Sequence, residues 1–227
     1  EAGAETDTRQ MLDTIHLHQV TVAFFIPTVL QMFLSEISVE DTLQAATLRW
    51  VMSGGEPLGQ EQVRNFNLKF PEAKLLNLYG PTEASVFATA YTCTSVSPEG
   101  PISIGRPVGN TRAYILNQEL ARGYVHLDEL TAERFIPNPF VPGERIYRTG
   151  DLARMLPSGE IVYLGRSDQM VKIGGYRIET GEIETALLQN PAIQQAAVLD
   201  WIDEQGNKYL CAYLVVQTDC TVRDLRA

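Results

Sequence analysis

The chain has 227 residues, of which 44% are hydrophobic and 20% are charged. These values are typical of a globular protein and exclude a disordered chain, a collagen-like repeat and a disulfide scaffold. With 18 basic and 28 acidic residues the net charge is −10, so we expect no cationic face for binding nucleic acid. The three cysteines, Cys93, Cys211 and Cys220, have no metal or redox spacing, which favours a reduced, cytoplasmic setting.

The sequence contains no segment that resembles a membrane span or a targeting signal. The most apolar stretch, residues 20–34, is too short to cross a bilayer and is interrupted by Pro27. Residues 1–8 have neither a basic region nor a hydrophobic signal core. We therefore expect no membrane partner, and we expect the natural chain to begin upstream of Glu1.

The first part of the chain alternates helix and strand patterns. Asp7 or Thr8 can cap a first helix, and Pro27 stands where proline can open a second. Residues 58–70 have the apolar spacing of a further helix. Short apolar runs predict three strands, a buried one at residues 21–26 and two more at residues 48–52 and 75–79. Strands and helices that alternate with short connections imply parallel pairing in a doubly wound α/β layer.

The pattern changes twice further along the chain. Residues 88–164 consist of short β-rich runs separated by proline and glycine. Within them, residues 151–155 and 161–164 flank the turn sequence LPSGE, which predicts a hairpin. After Asp168 a predicted helix and two predicted strands begin a smaller α+β unit, at residues 182–189, 196–201 and 209–216.

Two predicted strands end in loops that are suited to binding a nucleotide, because ligands of open α/β sheets bind beyond the carboxyl ends of strands. Gly54 and Gly55 let the backbone approach a flat ligand. The NLYGPTE sequence at residues 77–83 provides an amide, an aromatic face, a hydroxyl and a carboxylate, which can contact a purine, a phosphate and Mg²⁺. The alternative is that Tyr79 is a core aromatic residue followed by an ordinary turn.

Two further segments carry polar groups of the same kind. In YRTGDL, residues 147–152, Asp151 can accept hydrogen bonds from both hydroxyls of a ribose, although a turn-capping aspartate is the alternative. Residues 165–179 combine glycines with clustered charges. Arg166 and Lys172 can bring cations to a phosphate when the small unit closes, and the alternative is a solvated linker.

In this order the three segments resemble motifs of the adenylation domains of nonribosomal peptide synthetases. These domains belong to the adenylate-forming enzymes, together with acyl-CoA synthetases and luciferases. Residues 77–83 are similar to NxYGPTE, residues 147–152 to YRTGDL and residues 165–184 to the family's hinge motif, while residues 121–124 and 130–135 also fit. The combination of NLYGPTE with TAERFIPNPF favours the peptide-synthetase branch.

The resemblance implies a fold and a domain organisation. Residues 1–167 are expected to be the later part of the large α/β core, which comprises a doubly wound sheet and a small β-barrel-like unit. Residues 168–227 are expected to be the hinge and an incomplete small α+β C-terminal domain.

The resemblance also implies a reaction in two steps. ATP and Mg²⁺ activate an amino or related acid to an acyl adenylate with release of pyrophosphate. The acyl group then passes to the phosphopantetheine thiol of a peptidyl carrier protein or domain, in a synthetase with further neighbouring domains. Two alternatives stay open: an acyl-CoA or acyl-AMP ligase, and a non-catalytic nucleotide- or partner-binding fragment of such an enzyme.

The family's site residues can be transferred to this sequence by motif. Asn77 should meet the adenine amino group, and Tyr79 with the two glycines should sandwich the base. Thr82 should touch the α-phosphate, Glu83 should ligate Mg²⁺, and Asp151 should hold the ribose hydroxyls. Asp168 should be the hinge, and Lys172 should act in thioester formation. The nucleotide set comprises Gly54, Gly55, Glu56, Asn77, Tyr79, Gly80, Thr82, Asp151, Tyr163 and Arg166, and the catalytic set Thr82, Glu83, Arg166 and Lys172.

The pocket for the acid can be transferred in part. Its expected residues are Phe24, Met52, Gly54, Leu78, Val86 and Phe87. All are apolar or lack a side chain, and a charged substrate group would lose its water there without a partner. The pocket therefore favours an apolar acid, which can be aromatic, with an aryl or keto acid still open. The alternative is that these are ordinary core residues.

The sequence departs from the family pattern at several points. The phosphate-binding loop and the C-terminal lysine of the family have no counterpart in the 227 residues. Between Leu116 and Ala121 the family has a longer stretch, so either a loop is deleted or the sequence joins two segments across a gap. We favour the gap, because losing a strand from a packed β unit destabilises it. Gly174 and Thr180 replace an arginine and a leucine of the family.

Overall fold

The computed structural model describes residues 7–84, 86–94, 100–109, 111, 113, 125, 127–168, 170–203 and 208–216. The chain divides into two compact units, Glu1–Ser167 and Asp168–Ala227. The junction between Leu116 and Ala121, the motif at residues 121–124 and Cys220 lie outside the described residues. Among the described residues, no helix is both long and apolar enough to cross a membrane.

The first unit contains helices and strands in mixed order. Its helices are α1 (Thr8–Leu17), α2 (Pro27–Glu36), α3 (Gln60–Lys69) and α4 (Asp128–Arg134), with 3₁₀ turns at Asp41–Ala45 and Thr82–Ala84. Its strands are β1 (Val22–Phe25), β2 (Trp50–Gly54), β3 (Lys74–Tyr79), β4 (Thr89–Thr92), β5 (Ser103–Pro107), β6 (Phe135–Pro137), β7 (Arg145–Tyr147), β8 (Asp151–Met155) and β9 (Ile161–Arg166).

Seven of these strands form one mixed sheet in the order β1-β2-β3-β4-β5-β9-β8, and β6 pairs with β7 separately. The first three strands are parallel, which confirms the pairing predicted from their helical connections. From β4 onward the neighbours are antiparallel. The predicted hairpin is confirmed as β8 and β9.

Helices α1, α2 and α3 cover one face of the parallel strands. Phe25, Val51 and Leu75 belong to the same buried cluster as apolar residues of all three helices. The strand predicted at residues 21–26 is confirmed as β1, but the predicted burial is wrong on one face, where Val22 and Phe24 are 48% and 46% exposed. As β1 is the edge strand and its side chains alternate, only the face that carries Phe25 is covered by the helices.

A close backbone approach between β4 and β5 requires a glycine. Gly105 has φ +83°, and a Cβ atom there would lie 1.8 Å from the carbonyl oxygen of Ala90. The pairing of β5 with β9 shifts register between Ser103 and Gly105. The Ser103 hydroxyl stabilises this irregularity by accepting from the Gly105 N–H at 2.9 Å and donating to the Ile161 carbonyl at 3.0 Å.

The second unit contains a tight hairpin followed by a helix and a longer strand pair. Strands β10 (Met170–Ile173) and β11 (Tyr176–Glu179) are antiparallel. They are joined by Gly174 and Gly175, which both have positive φ, as a two-residue hairpin turn favours. Helix α5 (Thr180–Leu188) contacts β12 (Ile193–Ile202), which pairs antiparallel with β13 (Lys208–Val216). The helix and the two strands predicted after Asp168 are thus confirmed.

Candidate nucleotide site

A cavity of about 380 Å³ lies among the ends of β3, β7, β8 and β9. Its lining includes Tyr79, Asp151 and Tyr163, three residues that the motifs placed in the nucleotide site. Tyr147 and Thr149 also line it, although sequence reasoning gave neither a role. Both belong to YRTGDL, so the motif itself was the signal that could have identified them.

Asp151 is held by several groups at the start of β8. Its carboxylate accepts hydrogen bonds from the hydroxyl of Tyr79 and from Arg166 Nη1, the latter at 2.9 Å. The Thr149 hydroxyl accepts from the Asp151 backbone N–H at 3.0 Å. Asp151 and Arg166 face each other in the β8–β9 register, and both side chains are 11% exposed. The carboxylate is thus oriented and partly desolvated, as an acceptor for ligand hydroxyls should be.

Tyr79 combines a polar contact with an aromatic face. Burial, together with the nearby Asp151 carboxylate, raises the pKa of Tyr79 well above its usual value, so its hydroxyl stays neutral and donates. The ring centroids of Tyr79 and Tyr163 are 6.2 Å apart with the planes tilted by 35°. Two aromatic rings at the edge of a cavity offer faces on which a flat heterocycle can stack.

Glu83 lies in the 3₁₀ turn Thr82–Ala84, directly after the NLYGPT sequence. One of its carboxylate oxygens, Oε1, accepts a hydrogen bond from the Tyr147 hydroxyl at 3.0 Å. The described part of the chain holds no group of three or more His, Cys, Asp or Glu side chains that could form a metal cage. Mg²⁺ is bound in proteins through one or two carboxylates together with substrate phosphates and water, and the Glu83 carboxylate has the chemistry of such a ligand. Its contact with Mg²⁺ remains a prediction.

The polar atoms of two predicted nucleotide contacts have protein partners. Asn77 is 3% exposed, and its amide nitrogen donates to the Ser103 carbonyl at 2.8 Å. The Glu56 carboxylate accepts from the backbone N–H and the hydroxyl of Thr28, at 3.2 and 2.6 Å, at the start of α2. These contacts give both residues a structural role, and neither is among the described residues that line the cavity. Their contacts with a nucleotide remain predictions.

Two of the predicted glycines are also explained by packing. A Cβ atom on Gly54 would lie 2.7 Å from the Leu78 carbonyl oxygen, because β2 and β3 pair there. One on Gly80 would lie 2.6 Å from backbone atoms of Val86 and Ala88. Gly55 has φ +93°, a conformation that favours glycine.

Four of the residues predicted for the acid pocket lie on the sheet face opposite the helices. Phe24 pairs with Met52 in the β1–β2 register, and Gly54 pairs with Leu78 in the β2–β3 register. Since residues two apart on a strand share a face, these four side-chain positions lie on one face. The Phe87 ring packs against Phe24 with centroids 5.8 Å apart.

Val86, the remaining predicted pocket residue, has an unusual backbone conformation. Its φ is +76°, which strains a β-branched residue. Such strain is concentrated at functional sites.

Two predicted site residues, Asp168 and Lys172, belong to the second unit. Asp168 Oδ1 accepts a hydrogen bond from the Met170 N–H at 3.3 Å, and Lys172 pairs with Arg177 across β10 and β11.

Comparisons with known proteins agree with the motifs. The family described as AMP-binding enzyme matches residues 1–126. The chain is 41% identical to bacitracin synthase 3 of Bacillus licheniformis over 238 residues, covering 96% of this chain and 4% of that protein. It is also 40% identical to tyrocidine synthase 3 of Brevibacillus parabrevis over 238 residues, covering 97% of this chain and 4% of that protein.

A solved structure is similar as well. It is NpsA-ThdA from Klebsiella oxytoca, an artificially fused adenylation-PCP di-domain of a nonribosomal peptide synthetase, with a TM-score of 0.77 and 27% identity. The similarity covers 96% of this chain and 44% of that one, which confirms the expected adenylate-forming fold. The resemblance to adenylation domains of nonribosomal peptide synthetases is likewise confirmed, and the chain belongs to the AMP-binding enzyme family.

Proposed function

We propose that the chain is part of an adenylation domain that activates a hydrophobic amino or related carboxylic acid with ATP. The products are an acyl adenylate and pyrophosphate. The observation that carries this proposal is the cavity in which Tyr79, Asp151 and Tyr163 converge, with Arg166 bound to Asp151. Since the chain spans only 4% of the length of the two similar synthases, the activity is that of the complete domain.

In this proposal the nucleoside half of ATP enters the cavity. The adenine stacks on the ring of Tyr79, near that of Tyr163. The ribose hydroxyls donate to the Asp151 carboxylate, whose orientation is maintained by Arg166 at 2.9 Å. Support comes from the low exposure of both charged side chains, because a partly desolvated carboxylate forms stronger hydrogen bonds with ligand hydroxyls.

The reacting half of ATP lies toward the turn Thr82–Ala84. Thr82 donates its hydroxyl to the α-phosphate, and Glu83 binds Mg²⁺. Mg²⁺ held there would supply positive charge to offset the negative charge of the phosphates during displacement. Positioning and charge neutralisation account for most of the catalysis of phosphoryl-type displacements, so the residues of this chain act by holding groups in place.

The substrate side chain is proposed to lie on the open sheet face. Phe24, Met52, Leu78 and Phe87 offer it apolar surface, and the Phe24–Phe87 ring pair forms an aromatic wall. A charged side chain would find no compensating group among these residues. The proposed substrate is therefore a hydrophobic acid.

The second step is the transfer of the acyl group to the phosphopantetheine thiol of a peptidyl carrier. The similar NpsA-ThdA structure is a fusion of an adenylation domain with such a carrier, and the similar synthases are far longer than this chain. Neighbouring synthetase domains and a cytoplasmic, secondary-metabolite context belong to the same proposal. Lys172 is proposed to serve thioester formation, and Asp168, where the second unit begins, to be the hinge between a core domain and a small C-terminal domain.

The test is ATP–pyrophosphate exchange by the complete adenylation domain with a panel of amino, aryl, keto and fatty acids. We expect exchange with hydrophobic members and little with charged ones. Thioester formation on free CoA rather than on a carrier would instead identify an acyl-CoA ligase. ATP binding without exchange for any acid would contradict the proposed activity.

A further inference from the structure

Tyr147 is a buried residue of the cavity whose hydroxyl contacts a charged group. It ends β7, is 1% exposed, and donates to Glu83 Oε1 at 3.0 Å. The two residues are 64 positions apart in the sequence, and they come from different motifs. A fully buried tyrosine usually directs its hydroxyl to a specific partner, and here that partner is a carboxylate.

The ring of Tyr147 is held by β6 and the residue before it, a segment to which the proposed function assigns no role. Phe135 lies directly opposite Tyr147 in the β6–β7 pair, with ring centroids 5.1 Å apart. The pair continues beyond the strands, since the Arg148 N–H donates to the Arg134 carbonyl at 2.8 Å. Arg134 and Phe135, at the end of the TAERF sequence, thus hold Tyr147 and its neighbour in place.

Glu83, in contrast, sits in a short and intrinsically weak element. The turn Thr82–Ala84 has three residues, and the Ala84 N–H donates to the Pro81 carbonyl at 3.0 Å. Such 3₁₀ turns have poor hydrogen-bond geometry, and a glutamate side chain has several rotatable bonds. A carboxylate on this turn needs outside support to keep one orientation.

We propose that Tyr147 is a positioning residue that orients the Glu83 carboxylate for metal binding, an inference that rests on the proposed role of Glu83. The two oxygens of a carboxylate offer about four lone-pair sites in total. A hydrogen bond from Tyr147 to Oε1 therefore leaves sites on the Glu83 carboxylate at which a cation can bind. Groups that hydrogen-bond to metal ligands fix their orientation, and removing such a group weakens metal binding about 10- to 100-fold.

The experiment measures binding of Mn²⁺ to the ATP complex of the complete adenylation domain by electron paramagnetic resonance. The variants are Tyr147→Phe, Glu83→Gln and their combination. Tyr91→Phe is the matched control, since Tyr91 is a partly buried tyrosine packed against the core. We expect Tyr147→Phe to weaken Mn²⁺ binding about 10-fold. Glu83→Gln should weaken Mn²⁺ binding at least as much as Tyr147→Phe does. The double variant should bind Mn²⁺ no more weakly than Glu83→Gln alone, and Tyr91→Phe should bind it as the wild type does.

Pyrophosphate exchange measured at varied Mg²⁺ concentration distinguishes a loss of Glu83 carboxylate orientation from a general loss of structure. The Tyr147→Phe variant should require more Mg²⁺ for half-maximal exchange and recover most of its rate at saturation, which a merely structural loss would not allow. If Tyr147→Phe fails to fold, Glu83→Asp tests the same contact. It shortens the side chain away from Tyr147 without altering the core, and wild-type Mn²⁺ binding by that variant would overturn the inference.

The remaining outcomes distinguish this inference from the proposed function. Weakened Mn²⁺ binding by Glu83→Gln combined with wild-type binding by Tyr147→Phe overturns the positioning role and leaves the metal role intact. Wild-type binding by Glu83→Gln overturns both. If the domain exchanges no pyrophosphate but Tyr147→Phe still weakens Mn²⁺ binding, the proposed function fails and the positioning role stands.

Discussion

Replacing Asp151 with asparagine would remove a negative charge from the edge of the cavity. The carboxylate accepts from the Tyr79 hydroxyl and from Arg166 at 2.9 Å, and the two charged side chains are 11% exposed. Removing one partner of a buried ion pair costs about 3–5 kcal/mol. This pair is only partly buried, and asparagine keeps one acceptor oxygen and the same shape, so we expect a loss of at most about 3 kcal/mol. That loss corresponds to a factor on the order of 10² in the unfolding equilibrium constant.

Urea denaturation of the complete domain would measure this loss in a double-mutant cycle of Asp151→Asn with Arg166→Met. Because the side chains contact each other, the double variant should lose less than the sum of the single losses, by about 1–3 kcal/mol. Arg9→Met is the control, because Arg9 forms an ion pair of similar length, 3.0 Å, but is 65% exposed. It should leave the denaturation midpoint unchanged. Additive losses, or a loss below about 1 kcal/mol for Asp151→Asn, would refute the reasoning.

Three other substitutions or treatments test the fold. Gly105→Ala should destabilise the first unit by about 2–5 kcal/mol through a backbone clash with Ala90 and an unfavourable φ, and an unchanged melting temperature would contradict this. Because burial raises the pKa of the Cys93 thiol to about 12, iodoacetamide at pH 8 should label Cys93 only after denaturation, and rapid labelling of the native protein would show the burial to be wrong. Glu56→Ala should cost about 0.5–2 kcal/mol by removing the acceptor at Thr28, and Glu56→Gln should restore part of that loss in the same denaturation assay.

Much of the fold was predictable because its signals are local. The apolar run that ends at Tyr79 and the turn sequence between Met155 and Ile161 locate strands by composition alone. Parallel pairing followed from the intervening helices. The order β5-β9-β8 and the exposure of Phe24 did not follow, because strand neighbours and covered faces depend on contacts between distant parts of the chain.

The candidate site was likewise predictable only in part. Tyr79, Asp151 and Tyr163, which the sequence assigned to the nucleotide site, line one cavity in the structure. The motifs did not predict the pairing of Tyr147 with Glu83, although the residues of each motif were known. Sequence spacing cannot give hydrogen-bond partners that lie 64 residues apart, because such contacts are set by the packing of whole elements.

The contact between Tyr79 and Asp151 has a geometric consequence for the sheet that carries it. Their strands, β3 and β8, stand third and seventh in the strand order, and in a flat sheet four strand spacings would separate them by roughly 19 Å. No tyrosine side chain bridges that span, so the sheet has to curve between β3 and β8. The register irregularity at Gly105 lies on β5, one of the strands between them. The curvature of the sheet therefore sets the distance between the residues of the cavity. On a flatter sheet, Tyr79 and Asp151 would lie too far apart to form their hydrogen bond.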